Sequence, residues 1–304
     1  MTDLSALNAR FGLSGQIIFK EIPDGLTVME VVNIHGSATI ALQGGHVMRW
    51  QPKSEVEPVV WLSRAAKFAP GKSIRGGVPV CWPWFGPHAD PKLPAHGFAR
   101  TVPWEVIATR KLDGGSTEIA LTLVETDQAR AMWPYRTKLS IVITVGPRLK
   151  IVLTTDNPGN KDVVIGEALH TYFQIGDIAD IRITGLEGCD YLDKVGGGSV
   201  QRRQEGPVVF SAETDRIYLN TEAECVIEDA RLKRRIHVTK SGSRSTVVWN
   251  PWTEKANKMG DFGPDGWRGM VCVESVNAAE NVVTVRAGSC HTLAVEYWTD
   301  KYHG

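Results

Sequence analysis

Along most of this chain apolar residues recur at every second position in short stretches, the pattern of strands with one face buried and the other in water. From about Thr27 the stretches VMEVVNI, ATIALQGGHVMRW, WEVIAT, EIALTLVE, LSIVITV and LKIVLTT follow one another. The second half repeats the pattern with IRITGLE, ECVIED, RRIHVTK, STVVWN, MVCVES, NVVTVRAG and CHTLAVEYW. Between Glu118 and Val124, for instance, Ile119, Leu121 and Leu123 take one side while Glu118, Ala120 and Thr122 take the other, which predicts a half-buried antiparallel strand. GPRLK predicts a hairpin turn between LSIVITV and IVLTT. Helical patterning is confined to Leu4–Phe11, where Leu4, Leu7 and Phe11 share a face, and to WTEKANKM after Pro251. Strands that do not alternate with helices exclude a doubly wound α/β sheet. The lack of a fixed-period repeat argues against a propeller or solenoid. The expected class is all-β, a large antiparallel β-sandwich.

One stretch breaks the pattern. From Ser73 to Arg100, SIRGGVPVCWPWFGPHADPKLPAHGFAR crowds glycines, prolines, aromatics and histidines together, and Pro79, Pro83, Pro87, Pro91 and Pro94 rule out a continuous helix or central strand. The Gly76–Gly77 pair after Arg75 would let backbone approach a ligand closely. A stiff loop of this length either builds a site or packs as an Ω-loop with exposed arginines. By contrast, Gly196–Gly198 and the following QRRQEG read as a surface connection with solvated arginines.

Composition narrows the partners. The 304 residues balance 34 basic against 34 acidic side chains, so there is no electrostatic footprint for nucleic acid or anionic membrane, and an anionic partner must be met locally. Neither a signal peptide nor a run of roughly 18 apolar residues is evident, so the expectation is a cytoplasmic protein with no membrane partner. Five scattered cysteines without a C-x-x-C pair predict reduced, mostly buried thiols. Of the ten tryptophans, Trp82, Trp84, Trp249 and Trp252 lie in proline-containing stretches rather than strand interiors. There they could stack on sugar C–H groups, or equally serve as core anchors.

Four groups of polar residues could carry chemistry, and each has a plainer reading. His170, in GEALHTYFQIG, alternates with Ala168 and Tyr172 on the face opposite Leu169; it is either a satisfied strand histidine or a proton-transfer group. Glu274 shares a face with Cys272 while Val271 and Val273 take the other; it is either salt-bridged or, if buried, a general base with a raised pKa. Asp215 in AETDRIY could be a ligand or a turn residue bonding its own backbone. His88, Asp90 and His96 match no standard metal-ligand spacing. Nucleophile-elbow and P-loop motifs are missing.

Taken together and in order, IRGGVPVCWPWFG, LPAHGFAR, ALHTYF, TDRIY, VVWNPW and MVCVE resemble the glucose-6-phosphate 1-epimerases, the hexose-6-phosphate mutarotases of the aldose 1-epimerase superfamily, from about Gly36 to the C-terminus. The resemblance implies a galactose-mutarotase-like β-supersandwich acting on a hexose 6-phosphate without metal or organic cofactor. It also implies one domain over residues 1–304, with 1–26 as an N-terminal cap and 27–304 as the sandwich, in a monomer. By the same resemblance His170 is the general acid and Glu274 the general base. Asp215 binds a sugar hydroxyl, Arg75 and Arg100 hold the phosphate, and His96 contacts the sugar or shapes the loop. The family often has glutamine before that histidine, whereas here the residue is Ala95. A non-catalytic sugar-phosphate sensor or carbohydrate-binding module, and a mutarotase of free aldoses, are the alternatives. Acid and base are expected to face each other across the sugar ring.

Overall fold

The structure is a computed structural model that describes residues 3–302. Two eight-stranded sheets and a four-stranded sheet carry the fold. Pairing between the named strands is antiparallel throughout. The four-stranded sheet runs in chain order through Ile17–Glu21, Thr27–Asn33, Gly36–Ala41 and His46–Pro52. Helix Leu4–Phe11 forms as its periodicity predicts, started by Asp3 capping Ala6 N, and leans Leu4, Leu7 and Phe11 on the core. Within the segment expected as a cap, Ile17–Glu21 forms a strand that pairs along Thr27–Val31.

The first eight-stranded sheet contains the alternating strands. Lys138–Val145 and Leu149–Asn157 pair from Val145↔Leu149, so GPRLK is the predicted hairpin, and along both strands every second residue is buried. Ile119, Leu121, Ile141, Ile143, Ile151, Leu153, Leu293 and Val295 make its inner face. The second sheet follows the order Val200–Arg203, Asp190–Asp193, Thr214–Tyr218, Ser245–Asn250, Met270–Asn277, Glu167–Leu169 and Val80–Cys81. Its central strands Ser245–Asn250 and Met270–Asn277 are buried at every position, because one face packs on the core and the other lies under loops. Val200–Arg203 is an exposed edge strand rather than an irregular connection, and helix Asp127–Met132 was not foreseen at all.

A buried ion pair outside the central strands makes stability pH-dependent. Glu167, fully buried, accepts from His291 Nε2 at 2.9 Å and from Asn277 Nδ2 at 2.9 Å, and the hydrogen bond to Glu167 holds the His291 imidazole above its usual range. A histidine whose folded pKa is raised contributes stability that is complete below about pH 6.5 and is lost as pH rises through the folded value. Urea midpoints should therefore fall between mildly acidic and alkaline pH. His291→Ala should remove that dependence and cost about 1–3 kcal/mol, since Glu167 then loses one of its two donors. Equal pH dependence in the variant would show that other groups set it.

Candidate active site

Met270–Asn277 organises the site. Glu167–Leu169 and Tyr172–Gln174 both pair with it, Leu169 opposite Ser275 and Tyr172 opposite Cys272. The continuous alternation expected through His170 is thus interrupted. His170 N donates to Pro79 O at 3.0 Å and Thr171 N turns back to Leu169 O. Released from the ladder, His170 stacks on Tyr172 at 5.0 Å between centroids and 10° between planes, with Trp249 edge-on at 6.0 Å. Glu274 lies across the gap, and its Oε1 is 3.4 Å from His170 Nε2. The two are therefore in contact rather than standing a sugar's width apart.

Burial governs both groups. Glu274 is 1% exposed and its Oε2 lacks a partner, as does His170 Nδ1. Burial, reinforced by Asp215, pushes the Glu274 carboxyl well above the carboxylate range; Arg100 opposes this. Burial, reinforced by His96, Arg100 and Arg75, pulls the His170 imidazole well below its usual value. Burial disfavours the charged form of each, which favours the pair in which Glu274 keeps its proton and the His170 imidazole is neutral, with the two atoms close enough to exchange it.

The loop from Ser73 closes over this floor, with Val80–Cys81 forming a short edge strand beside Ala168 and Leu169. The Gly76–Gly77 pair meets protein rather than ligand. A Cβ on Gly76 would sit 2.7 Å from Leu62 Cα, and one on Gly77 would sit 2.1 Å from His46 Nε2. Arg75 is held on three sides: Nε donates to Asp261 Oδ1 at 3.0 Å, Nη1 to Tyr172 OH at 2.8 Å, and the guanidinium lies 4.9 Å from the Phe262 ring centroid. Arg100 is freer, bonded through Nη2 to the Ala95 carbonyl at 2.9 Å. Ala95 lines the cavity with no amide to offer. His96 adopts φ +64° and packs edge-on to Phe85 and His170, and burial followed by Arg100 and Arg75 lowers its pKa to about 3, so it meets a ligand as a neutral imidazole.

Arg75, His96, Arg100, His170, Asp215 and Glu274 all line one cavity of about 560 Å³. Asp215 is not a turn residue. It lies in Thr214–Tyr218 opposite Trp249, with Lys255 3.6 Å away, and burial raises its carboxyl despite that lysine. Trp249 occupies a strand interior, contrary to its proline-rich context, and lines the cavity; Trp82 and Trp84 bond Thr155 and Pro94 O elsewhere. His88 packs tilted against Trp84, 4.7 Å between centroids, and among the described residues His88, Asp90 and His96 form no metal-ligating group. The sequence reading missed Tyr172, Lys194 and Lys255 as cavity-lining residues. Tyr172 was legible from its spacing to His170, and Lys255 from its helix after WNPW. Lys194 carried no signal.

The aldose 1-epimerase family description matches residues 28–298. The chain belongs to the aldose 1-epimerase family. This family member is accordingly an epimerase, an isomerase by class. It is 40% identical over 255 residues to a Salmonella typhimurium protein named "Putative glucose-6-phosphate 1-epimerase", covering 84% of each. An Escherichia coli protein of the same name is 37% identical over 268 residues, 88% of this chain and 89% of that one. The crystal structure of YeaD from Salmonella typhimurium, described as a "putative mutarotase", superposes with TM-score 0.89 at 35% identity, over 98% of this chain and 99% of that one. A galactose mutarotase-like protein from Lactobacillus casei, 16% identical with TM-score 0.69, shares the fold. The expected galactose-mutarotase-like architecture is therefore the one found, and the epimerase's cavity lies on its second sheet.

Proposed function

We propose that this epimerase interconverts the α and β anomers of glucose 6-phosphate and related hexose 6-phosphates. The observation that carries the reading is a buried acid–base pair, His170 Nε2 and Glu274 Oε1 at 3.4 Å, on the floor of a cavity also lined by Arg75, Arg100, Lys194 and Lys255. A sugar phosphate brings nearly two negative charges, which guanidinium and ammonium donors favour, whereas a free sugar needs only hydroxyl partners. The names of the two bacterial relatives agree with this substrate.

The chemistry needs two proton transfers. With Glu274 ionised and His170 protonated, Glu274 takes the anomeric hydroxyl proton while His170 donates to the ring oxygen. The bond between C1 and the ring oxygen breaks, and the aldehyde turns about C1–C2. Glu274 is then protonated and His170 neutral, so reclosure runs the transfers backwards on either face. That neutral form is also the one burial favours. One short transfer from Glu274 to His170 converts it to the form that opens a ring. Asp215, His96 and Trp249 are placed to hold hydroxyls and the sugar face.

Saturation-exchange NMR of the glucose 6-phosphate anomers, with and without protein, tests the reading. Saturable binding without faster exchange would leave a sensor, and equal acceleration of free glucose would leave a general aldose mutarotase. Because protonic groups suffice for every step, exchange should proceed undiminished in EDTA. Loss of exchange in chelator, restored by magnesium, would overturn the acid–base account.

A further inference from the structure

Cys272 is fully buried one alternate position before the cavity-lining Glu274 on the same strand, and the proposed reaction gives it nothing to do. Its Sγ, a His170 imidazole nitrogen and a Glu274 carboxylate oxygen all lie within 4.8 Å of one another. We propose that these three side chains form a site for a thiophilic divalent cation, zinc above all, whose binding shuts the acid–base pair.

Bonds of roughly 2.0–2.3 Å to nitrogen, oxygen and sulfur place tetrahedral ligand atoms roughly 3.3–3.7 Å apart. The 3.4 Å between His170 Nε2 and Glu274 Oε1 meets that without movement, and the thiol has at most about an ångström to close. Glu274 Oε2 and His170 Nδ1 have no partners, so the only side-chain contact an ion must replace at either group is the one they make with each other. Thiolate plus carboxylate match a dication's charge with neutral imidazole as third ligand, so the loaded site presents no net charge to Arg75 and Arg100. Because His170 and Glu274 both line the cavity, water or a sugar hydroxyl can complete the shell from that side. Binding releases the thiol proton and the Glu274 carboxyl proton to solvent. With that proton gone and both atoms ligated, neither can serve the ring opening. A sulfur ligand selects zinc, cobalt or copper over magnesium, which demands an octahedral oxygen shell.

The kinetic consequence rests on the function proposed above, while binding itself does not. Cobalt(II) added to the full chain should give a thiolate-to-cobalt charge-transfer absorption at one equivalent, displaced by zinc and lost in Cys272→Ser. In zinc-soaked wild-type crystals, anomalous density should lie within bonding distance of all three side chains. Zinc should inhibit anomer exchange in wild type, reversed by EDTA and unmatched by magnesium. In Cys272→Ser and Cys272→Ala the zinc concentration needed, each against its own zinc-free rate, should rise about tenfold or more. Density only at surface groups such as His88 or Cys290, or an unchanged absorption and zinc sensitivity in both variants, would overturn the site. Should wild type exchange no hexose phosphate, the function fails while absorption and diffraction still decide the metal. Should both variants misfold, the wild-type crystals decide it.

Discussion

Glu274→Gln and His170→Ala are each expected to slow anomer exchange of glucose 6-phosphate by about 10²- to 10⁴-fold, the range for a positioned acid or base. Glu274→Gln keeps the volume of a side chain whose second oxygen is already unpartnered, so the loss should be chemical rather than structural. His170→Ala removes the ring between Tyr172 and Glu274 from an interrupted stretch of strand, leaving the ladder on either side intact. The double variant should fall little below the worse single one, because the pair acts as a unit. The wild-type pH profile should show a broad plateau. Its acid limb is displaced below the ordinary imidazole range and its alkaline limb above the carboxylate range, since burial opposes charge on both groups. Near-normal exchange in both single variants, measured by the same saturation-exchange experiment, would remove the pair from the mechanism.

The second large effect concerns phosphate selectivity, and here the two arginines should part company. Among the described residues Arg100 makes one side-chain hydrogen bond, to the Ala95 carbonyl, and no salt bridge, and it lines the cavity. A charge-assisted contact contributes roughly 1.5–3 kcal/mol. Arg100→Ala should therefore lower kcat/KM for glucose 6-phosphate about ten- to a hundredfold and barely alter free glucose. Arg75 is already neutralised by Asp261 and supports Tyr172, the ring stacked on His170. Arg75→Ala should slow both substrates, the phosphate more, because it unmasks the Asp261 carboxylate. Equal losses for the two sugars in Arg100→Ala would make Arg100 a loop anchor.

Sequence alone determined the class of fold and named six of the residues that line the cavity. Period-two alternation in stretches such as Glu118–Val124 is a local consequence of one face meeting the core, and the face survives whatever the partner strand. MVCVES even carried the mark of a strand buried on both sides, with valines on one face and Cys272 and Glu274 on the other. The six proposed site residues were likewise legible, since their motifs survive unaligned in the chain. Tertiary structure decided what depends on contacts distant in sequence. Arg75 reaches Asp261 across 186 positions, and no periodicity reports such a pair. The strand break at His170 follows from Pro79 taking its amide, and that break turns an expected gap across a sugar into a 3.4 Å contact with Glu274. Ile17–Glu21 was unread because an edge strand with only two buried positions has too little buried face to mark itself. Burial, a property of the assembled sheets rather than of any segment, is what raises the Glu274 carboxyl and lowers the His170 imidazole.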